Sequence, residues 1–353
     1  MSRFRPEIEA LETYSMADET CSIKVNQNEA PWDWPKGLKA EAAEIVSSVA
    51  FNRYPPFHER ALTAALAKRW ELSPHSVLVG NGSNELLSAL FVSCLGQGRK
   101  VLLPCPTFGL YRQLAVVAGA PIAEGRLQNG GISYDAEYWI EIARRERPAL
   151  LLLCSPNNPT GAAFPLHALG AILKEAPGLV AVDEAYAEFS EGTARDYLPE
   201  ADNLVVLRTF SKAWGSAGLR LGYLMAAPKT ATQIRKGLLP YNISPVTASL
   251  GVLSLRNAAL FEARVRTTIS ERERLFEALC RVPGLTAYPS KANFILVRVA
   301  VGAAFERYQA LRARGVLVRN VSHLPGLEGC LRLSVGSAEE NESVIGTFAE
   351  VFA

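Results

Sequence analysis

The segment Thr209-Phe210-Ser211-Lys212-Ala213-Trp214-Gly215-Ser216-Ala217-Gly218-Leu219-Arg220-Leu221-Gly222 places one lysine in a turn of small residues, with an arginine shortly after. A lysine that attacks a carbonyl needs an accessible amine, and Ala213, Gly215, Ser216, Ala217 and Gly218 let backbone and ligand approach closely. Two cations beside such a turn make a place for an anion. Taken alone, the segment also reads as a glycine-rich turn carrying a solvated Lys and Arg.

Upstream, Val180-Ala181-Val182-Asp183-Glu184-Ala185-Tyr186 puts an acid at the end of an apolar run. An unpaired carboxylate there is costly, so Asp183 needs a cationic partner. A protonated pyridine nitrogen is such a partner, and the pair would hold the ring as an electron sink. Tyr186, read as one helical turn on, would reach a phenolic oxygen on the same ring. The plain alternative is an Asp that caps a helix and a Tyr that packs in the core.

Ser155-Pro156-Asn157-Asn158-Pro159-Thr160-Gly161 follows another apolar run, and its prolines and glycine make a rigid turn able to present the Asn158 amide at a fixed angle. Gly80-Asn81-Gly82-Ser83-Asn84-Glu85 reads as a glycine loop leading into an apolar helix near Leu86, whose free amides suit a phosphate. It is neither a dinucleotide fingerprint, since position 85 is Glu, nor a P-loop, since no Gly-Lys-Ser/Thr follows.

These clusters need a scaffold. Apolar runs at Ser76 to Val79, Lys100 to Leu103, Ala149 to Cys154, Leu179 to Val182 and Leu204 to Leu207 alternate with helical patterns and read as buried strands of a mainly parallel sheet. In such α/β sheets ligands sit beyond the carboxyl ends of the strands, where the polar clusters fall. Residues 1–30 read as an irregular arm that docks on something, and 31–245 as a large α/β domain. Residues 246–353, with a charged helix over Leu260 to Leu279 and strand-like runs at Phe294 to Val299, Val316 to Arg319 and Leu331 to Val335, read as a smaller α+β domain. The length of 353 residues also favours two packed units.

With 37 basic and 35 acidic residues, a net charge of +2 supplies no field for nucleic acid or an anionic membrane. The six cysteines form no C-x-x-C pair and the four histidines are isolated, so neither a disulfide framework nor a metal site is expected. No apolar stretch reaches the roughly 18 residues of a membrane span, and no signal-peptide core follows Met1, so a cytoplasmic chain is expected.

In this order, Ser-Pro-Asn-Asn-Pro-Thr-Gly, Asp-Glu-Ala-Tyr and Ser-Lys-Ala-Trp-Gly-Ser-Ala-Gly-Leu-Arg-Leu-Gly resemble the motifs of the fold-type I pyridoxal-phosphate aminotransferases. Asn26 to Pro31, Asn52-Arg53-Tyr54-Pro55, Gly80 to Glu85 and Pro106-Thr107-Phe108-Gly109-Leu110-Tyr111 make the likeness greatest to the histidinol-phosphate aminotransferase group. The resemblance implies that Lys212 holds pyridoxal 5'-phosphate, Asp183 pairs with its ring nitrogen, and Asn158 and Tyr186 bond its phenolic oxygen. It implies that Phe108 stacks on the ring and that Ser83, Asn84, Ser211 and Arg220 meet the phosphate, with Tyr54 reaching in from the other subunit of a homodimer. It assigns Arg332, Arg319 and Tyr14 to the substrate anion. The reaction implied is amino transfer between glutamate and a phosphorylated amino compound such as histidinol phosphate. A broad aromatic aminotransferase and a threonine-phosphate decarboxylase share these motifs, and a catalytically silent relative shares the fold.

Overall fold

The computed structural model describes residues 3–12, 21–56, 59–300 and 302–353. After β1 (Ile23–Lys24) come β2 (Val77–Asn81), β3 (Val101–Cys105), β4 (Ile122–Arg126), β5 (Leu150–Cys154), β6 (Leu179–Asp183), β7 (Leu204–Thr209) and β8 (Leu221–Ala226). Strands β2 to β8 form one sheet in the order β2-β8-β7-β6-β5-β3-β4. All neighbours are parallel except those of β8, which runs against both β2 and β7. The expected α/β architecture, a mainly parallel sheet flanked by helices, is present.

The central strands are apolar on both faces because both faces are covered. Side chains alternate along a strand, so each strand feeds two cores. Leu151, Leu153, Val180, Val182, Leu204 and Val206 enter one core, together with Trp139, Phe210 and Tyr223. Leu150, Leu152, Cys154, Ala181, Val205 and Leu207 enter the other, with Phe91 and Tyr111. Asp183 therefore projects on the side of Ala181, and it stands directly opposite Cys154 on β5.

Parallel strands end at one edge. The chain after β3, β5, β6 and β7 emerges there, and because β2 and β7 both run against β8, the end of β2 lies at that edge too. The helix Gly82–Cys94 thus begins beside Asp183 at the end of β6 and the loops that carry Phe108, Asn158 and Lys212.

Towards the C-terminus, β9 (Thr286–Tyr288), β10 (Phe294–Arg298), β11 (Val316–Leu317), β12 (Arg319–Asn320) and β13 (Cys330–Ser334) follow. An antiparallel sheet runs β12-β13-β10-β9. The helices Ala258–Leu279, Ala304–Ala313 and Ala338–Phe352 pack on it through Leu275, Leu279, Leu311, Val344 and Phe348. A reciprocal cap between Ser337 and Glu340 starts the last helix. The helix Pro245–Arg256, by contrast, sends Ala248, Leu250 and Leu253 into the core on the large sheet.

Several expectations change. The arm is regular where it docks: β1 pairs parallel with β11, Ile23 against Val316. The run Val316 to Arg319 is not one strand, since β11 joins β1 while β12 joins β13. Strands β4 and β8 escape a reading based on apolar runs, β4 because Glu124 and Arg126 interrupt it and β8 because it follows the glycine-punctuated turn without a break. No loop separates β2 from its helix, which starts at Gly82. Tyr186 lies in a turn before the short 3-10 segment Ala187–Phe189, not on an α-helix.

Glu184, next to Asp183, points the opposite way and is structural. It is 2 % exposed, accepts from Arg208 Nε at 2.8 Å, from Thr193 Oγ1 at 2.8 Å and from the Ala194 amide at 2.6 Å. Arg208, itself 3 % exposed, also pairs with Glu188 at 3.0 Å and lies over Trp70. Removing one partner strands a buried charge. Glu184→Ala is expected to cost about 3–5 kcal/mol, seen as an earlier urea unfolding midpoint, whereas Glu7→Ala on the exposed first helix leaves the midpoint in place.

Candidate active site

A cavity of about 790 Å³ opens at the strand edge between the large sheet and the C-terminal sheet. Of the residues singled out from sequence, Ser83, Asn84, Phe108, Asn158, Asp183, Tyr186, Ser211, Lys212, Arg220, Arg319 and Arg332 all line it. Tyr54 does not: its side chain is 83 % exposed and stacks on Tyr241 with centroids 4.8 Å apart. Tyr14 lies outside the described residues.

Asp183 sits at the floor. It is 3 % exposed; Tyr111 donates to Oδ2 at 2.8 Å and the Ala185 amide to Oδ1 at 3.0 Å. Burial pushes its carboxyl up to about 6 against the pull of those two donors. Among the described residues it makes no ion pair. A buried carboxylate with two neutral donors and no cation is a place prepared for a positively charged group.

Above it, Tyr186 Oη accepts from Asn28 Nδ2 at 3.0 Å, and burial pushes this phenol up to about 12. Arg332 Nη1 donates to Asn158 Oδ1, and Nη2 donates to the Asn26 carbonyl at 2.7 Å. With its oxygen held by the guanidinium, the Asn158 amide keeps its NH₂ group as a donor for another partner. Arg319 on β12 stands directly opposite Arg332 on β13. Residues paired this way share one face, so two guanidinium groups enter the cavity from the same side.

Lys212 Nζ donates to the Gln27 carbonyl at 2.9 Å and lies 5.9 Å from the centre of the Tyr186 ring. Burial, then the charge of Arg332, brings its amine down to about 7. A good fraction is therefore unprotonated and nucleophilic at neutral pH.

The fourth group is an anion cradle. The helix Gly82–Cys94 starts at the cavity without a side-chain cap, so the amides of its first turn, where Ser83 and Asn84 stand, suit an anion. Thr209 Oγ1 donates to Ser211 Oγ at 3.0 Å, and Arg220, in a left-handed conformation at φ 49°, completes the rim. The fit leaves no space for larger residues. A Cβ on Gly82, where φ is +75°, would stand 2.6 Å from Arg220 Nη2, and one on Gly222 would stand 2.4 Å from the Ser83 amide nitrogen.

Sequence reading gave no role to Tyr111 or to the arm residues Asn26, Gln27 and Asn28. Tyr111 follows Phe108 by three positions in a motif already noted, but its bond to Asp183 crosses from the helix Leu110–Val117 to the end of β6. The arm contacts join residues more than 150 positions apart, which no local pattern reports.

A lysine amine, a buried carboxylate awaiting a cation, two donors for a phenolic oxygen and a phosphate cradle fit one ring-bearing ligand. On this fold, they define a pyridoxal-phosphate-dependent transferase. The chain belongs to the aminotransferase class I and II family, whose model matches residues 22–348. Histidinol-phosphate aminotransferase of Chlorobaculum tepidum is 39 % identical over 342 residues, covering 96 % of this chain and 97 % of that protein. The histidinol-phosphate aminotransferase of Sinorhizobium meliloti, solved in complex with pyridoxal-5'-phosphate, superposes with a TM-score of 0.87 at 24 % identity, covering 100 % of this chain and 98 % of that one. The L-threonine-O-3-phosphate decarboxylase of Porphyromonas gingivalis shares the fold with a TM-score of 0.81 at 22 % identity, over 93 % of this chain and 98 % of that one.

The depressed amine is directly measurable. A folded-state value near 7 against 10.5 for an ordinary lysine means that the unfolded chain binds the extra proton between those pH values, so this group adds stability as pH rises across that window. In cofactor-free protein, labelling of Lys212 by trinitrobenzenesulfonate is expected to be half-maximal near pH 7, and Arg332→Gln to move that midpoint upward. A midpoint near that of a surface lysine would remove the case for a primed amine.

Proposed function

We propose that this chain moves amino groups between glutamate and histidinol phosphate, with 2-oxoglutarate and imidazole acetol phosphate as the keto partners, in histidine biosynthesis. The observation that carries the reading is the pair Arg319 and Arg332, cross-strand neighbours that both line the cavity. Glutamate presents a carboxylate and histidinol phosphate a phosphate, and two guanidinium groups side by side suit either anion. The curated relative from Chlorobaculum tepidum supports the same substrate.

Bound pyridoxal phosphate supplies a protonated ring that withdraws electrons and a carbonyl carbon that carries the amino group. Lys212 is the residue to which it attaches. Asp183 meets the ring nitrogen and keeps it protonated, which also gives the buried carboxylate its missing cation. Tyr186 and the Asn158 amide fix the phenolic oxygen, Phe108 covers the ring face, and Ser83, Asn84, Ser211 and Arg220 hold the phosphate. With the cofactor bound, the freed Lys212 amine would take the proton from the substrate carbon bearing nitrogen and deliver it to the cofactor carbon that carries the amino group. An amine near 7 suits both directions of that transfer.

The protein acts as a homodimer in which Tyr54 reaches the phosphate cradle of the other subunit. Its exposure, and its position outside the cavity of its own chain, support this. Six free cysteines support a cytoplasmic setting, and no described helix is long and apolar enough to cross a membrane.

Steady-state rates with histidinol phosphate, phenylalanine and tyrosine, each with 2-oxoglutarate, test the substrate. A kcat/KM for histidinol phosphate at least 100-fold above the others is expected, a preference of about 2.7 kcal/mol in the transition state. Equal values would make the protein a broad aromatic aminotransferase, and carbon dioxide released without a keto acid would make it a decarboxylase. Arg319→Gln is expected to raise KM for both glutamate and histidinol phosphate about tenfold or more, because it removes a contact both substrates share. An unchanged KM for either one would break the shared-anion argument.

A further inference from the structure

Tyr111 is 1 % exposed in the core on the Ala181 side of the large sheet. Its hydroxyl donates to Asp183 Oδ2 at 2.8 Å, while Oδ1 takes the Ala185 amide, so each carboxylate oxygen has its own donor. The same ring meets Phe108 edge-on, with centroids 5.5 Å apart and planes at 89°. The loop before it is tied to the Asn158 turn: Thr107 Oγ1 donates to Asn157 Oδ1 at 2.7 Å, and Asn157 Nδ2 donates to the Pro106 carbonyl at 3.1 Å.

We propose that Tyr111 is a positioning residue for the cofactor, setting at once the orientation of the carboxylate that meets the ring nitrogen and of the aromatic ring that covers the ring face. The inference rests on the roles given above to Asp183 and Phe108. A neutral phenol suits the first task better than a cation would. Arg or Lys at this place would neutralise Asp183 and compete with the ring nitrogen, whereas a hydroxyl fixes one oxygen and leaves the negative charge to be answered by the ligand.

The charged and titratable groups around the pair leave this assignment intact. Asp183 is faced by Tyr111 and the Ala185 amide, with Cys154 and Tyr186 close by, and Glu184, turned the other way, reaches it only through its charge. Burial pushes Cys154 up to about 12, and burial followed by the neighbouring Asp183 pushes Tyr111 well above an ordinary phenol. Both remain protonated at working pH, so Tyr111 is a donor throughout. Because its hydrogen bond holds the Asp183 carboxyl down, losing the hydroxyl raises that carboxyl further and leaves less carboxylate at mildly acidic pH.

The test is the dissociation constant of pyridoxal phosphate, measured by fluorescence titration at pH 6, 7 and 8. The full chain carries Lys212→Ala throughout, so that only non-covalent binding is read and the lysine's own titration drops out. Tyr111→Phe is expected to weaken binding about fivefold at pH 6 and less than about twofold at pH 8, because a carboxyl that has lost its donor is ionised less at the lower pH and almost fully at the higher. In the Asp183→Asn background, adding Tyr111→Phe is expected to leave that pH dependence flat. An unchanged constant, or a loss equal at every pH, would overturn the proposal, since packing damage alone does not follow protonation. If Asp183→Asn itself leaves binding unaltered, the ring-nitrogen role of Asp183 fails and this inference falls with it. If Asp183→Asn weakens binding while Tyr111→Phe is flat with pH, this inference alone fails. Should Tyr111→Phe not fold, 3-fluorotyrosine at position 111 is a stronger donor of nearly the same size. It is expected to tighten binding at pH 6 relative to pH 8, and no relative change would overturn the proposal.

Discussion

An uncompensated carboxylate buried at the end of a strand is the constraint around which this structure is arranged. Asp183 is carried to the floor of the cavity by β6, where a charge is costly unless it is answered. The protein answers it by halves: two neutral donors fix its geometry and no described cation neutralises it. Its neighbour Glu184 shows the contrasting solution, turned the other way and given Arg208 within the core. Two adjacent acids on one strand end thus separate into a binding charge and a scaffold charge by the alternation of a β-strand alone.

The same strand geometry explains why the remaining groups converge. Because β2, β3, β5, β6 and β7 end at one edge, their ends and the segments that follow place an anion cradle, an aromatic ring, an amide, a carboxylate and an amine around a single space. The C-terminal sheet adds Arg319 and Arg332 from the facing side. Each group is held by a contact from another element: Lys212 by the Gln27 carbonyl, Asn158 by Arg332, Tyr186 by Asn28. The positive charge of Arg332 reaches Lys212 as well and helps keep that amine neutral.

Much of this was legible in the residues. Runs such as Ala149 to Cys154 and Leu204 to Leu207 announced buried parallel strands because such apolar runs suit a core on both faces. The polar clusters that follow them marked the binding edge. Strand β8 was hidden because its first residues, Leu221 and Gly222, also end the glycine-rich segment, and Gly222 belongs to the strand for a reason only the structure shows: the Ser83 amide lies against it. The division of Val316 to Arg319 between two sheets is likewise set by partners, β1 and β13, that lie far away in the chain. Tyr111 was within a recognised motif, yet its function depends on a strand some seventy positions later.

The short arm strand β1 has a consequence for how the protein comes into being. It pairs with β11, and just beyond it the Asn26 carbonyl receives Arg332 across 306 positions of sequence. Contacts of that span are entropically the slowest to close. A ribosome that has already delivered the whole large sheet, with Lys212 and Asp183 in place, still holds an open cleft. The cavity acquires its walls only when β13 emerges and the arm is joined to it, so competence for chemistry is withheld until the C-terminal sheet has been made.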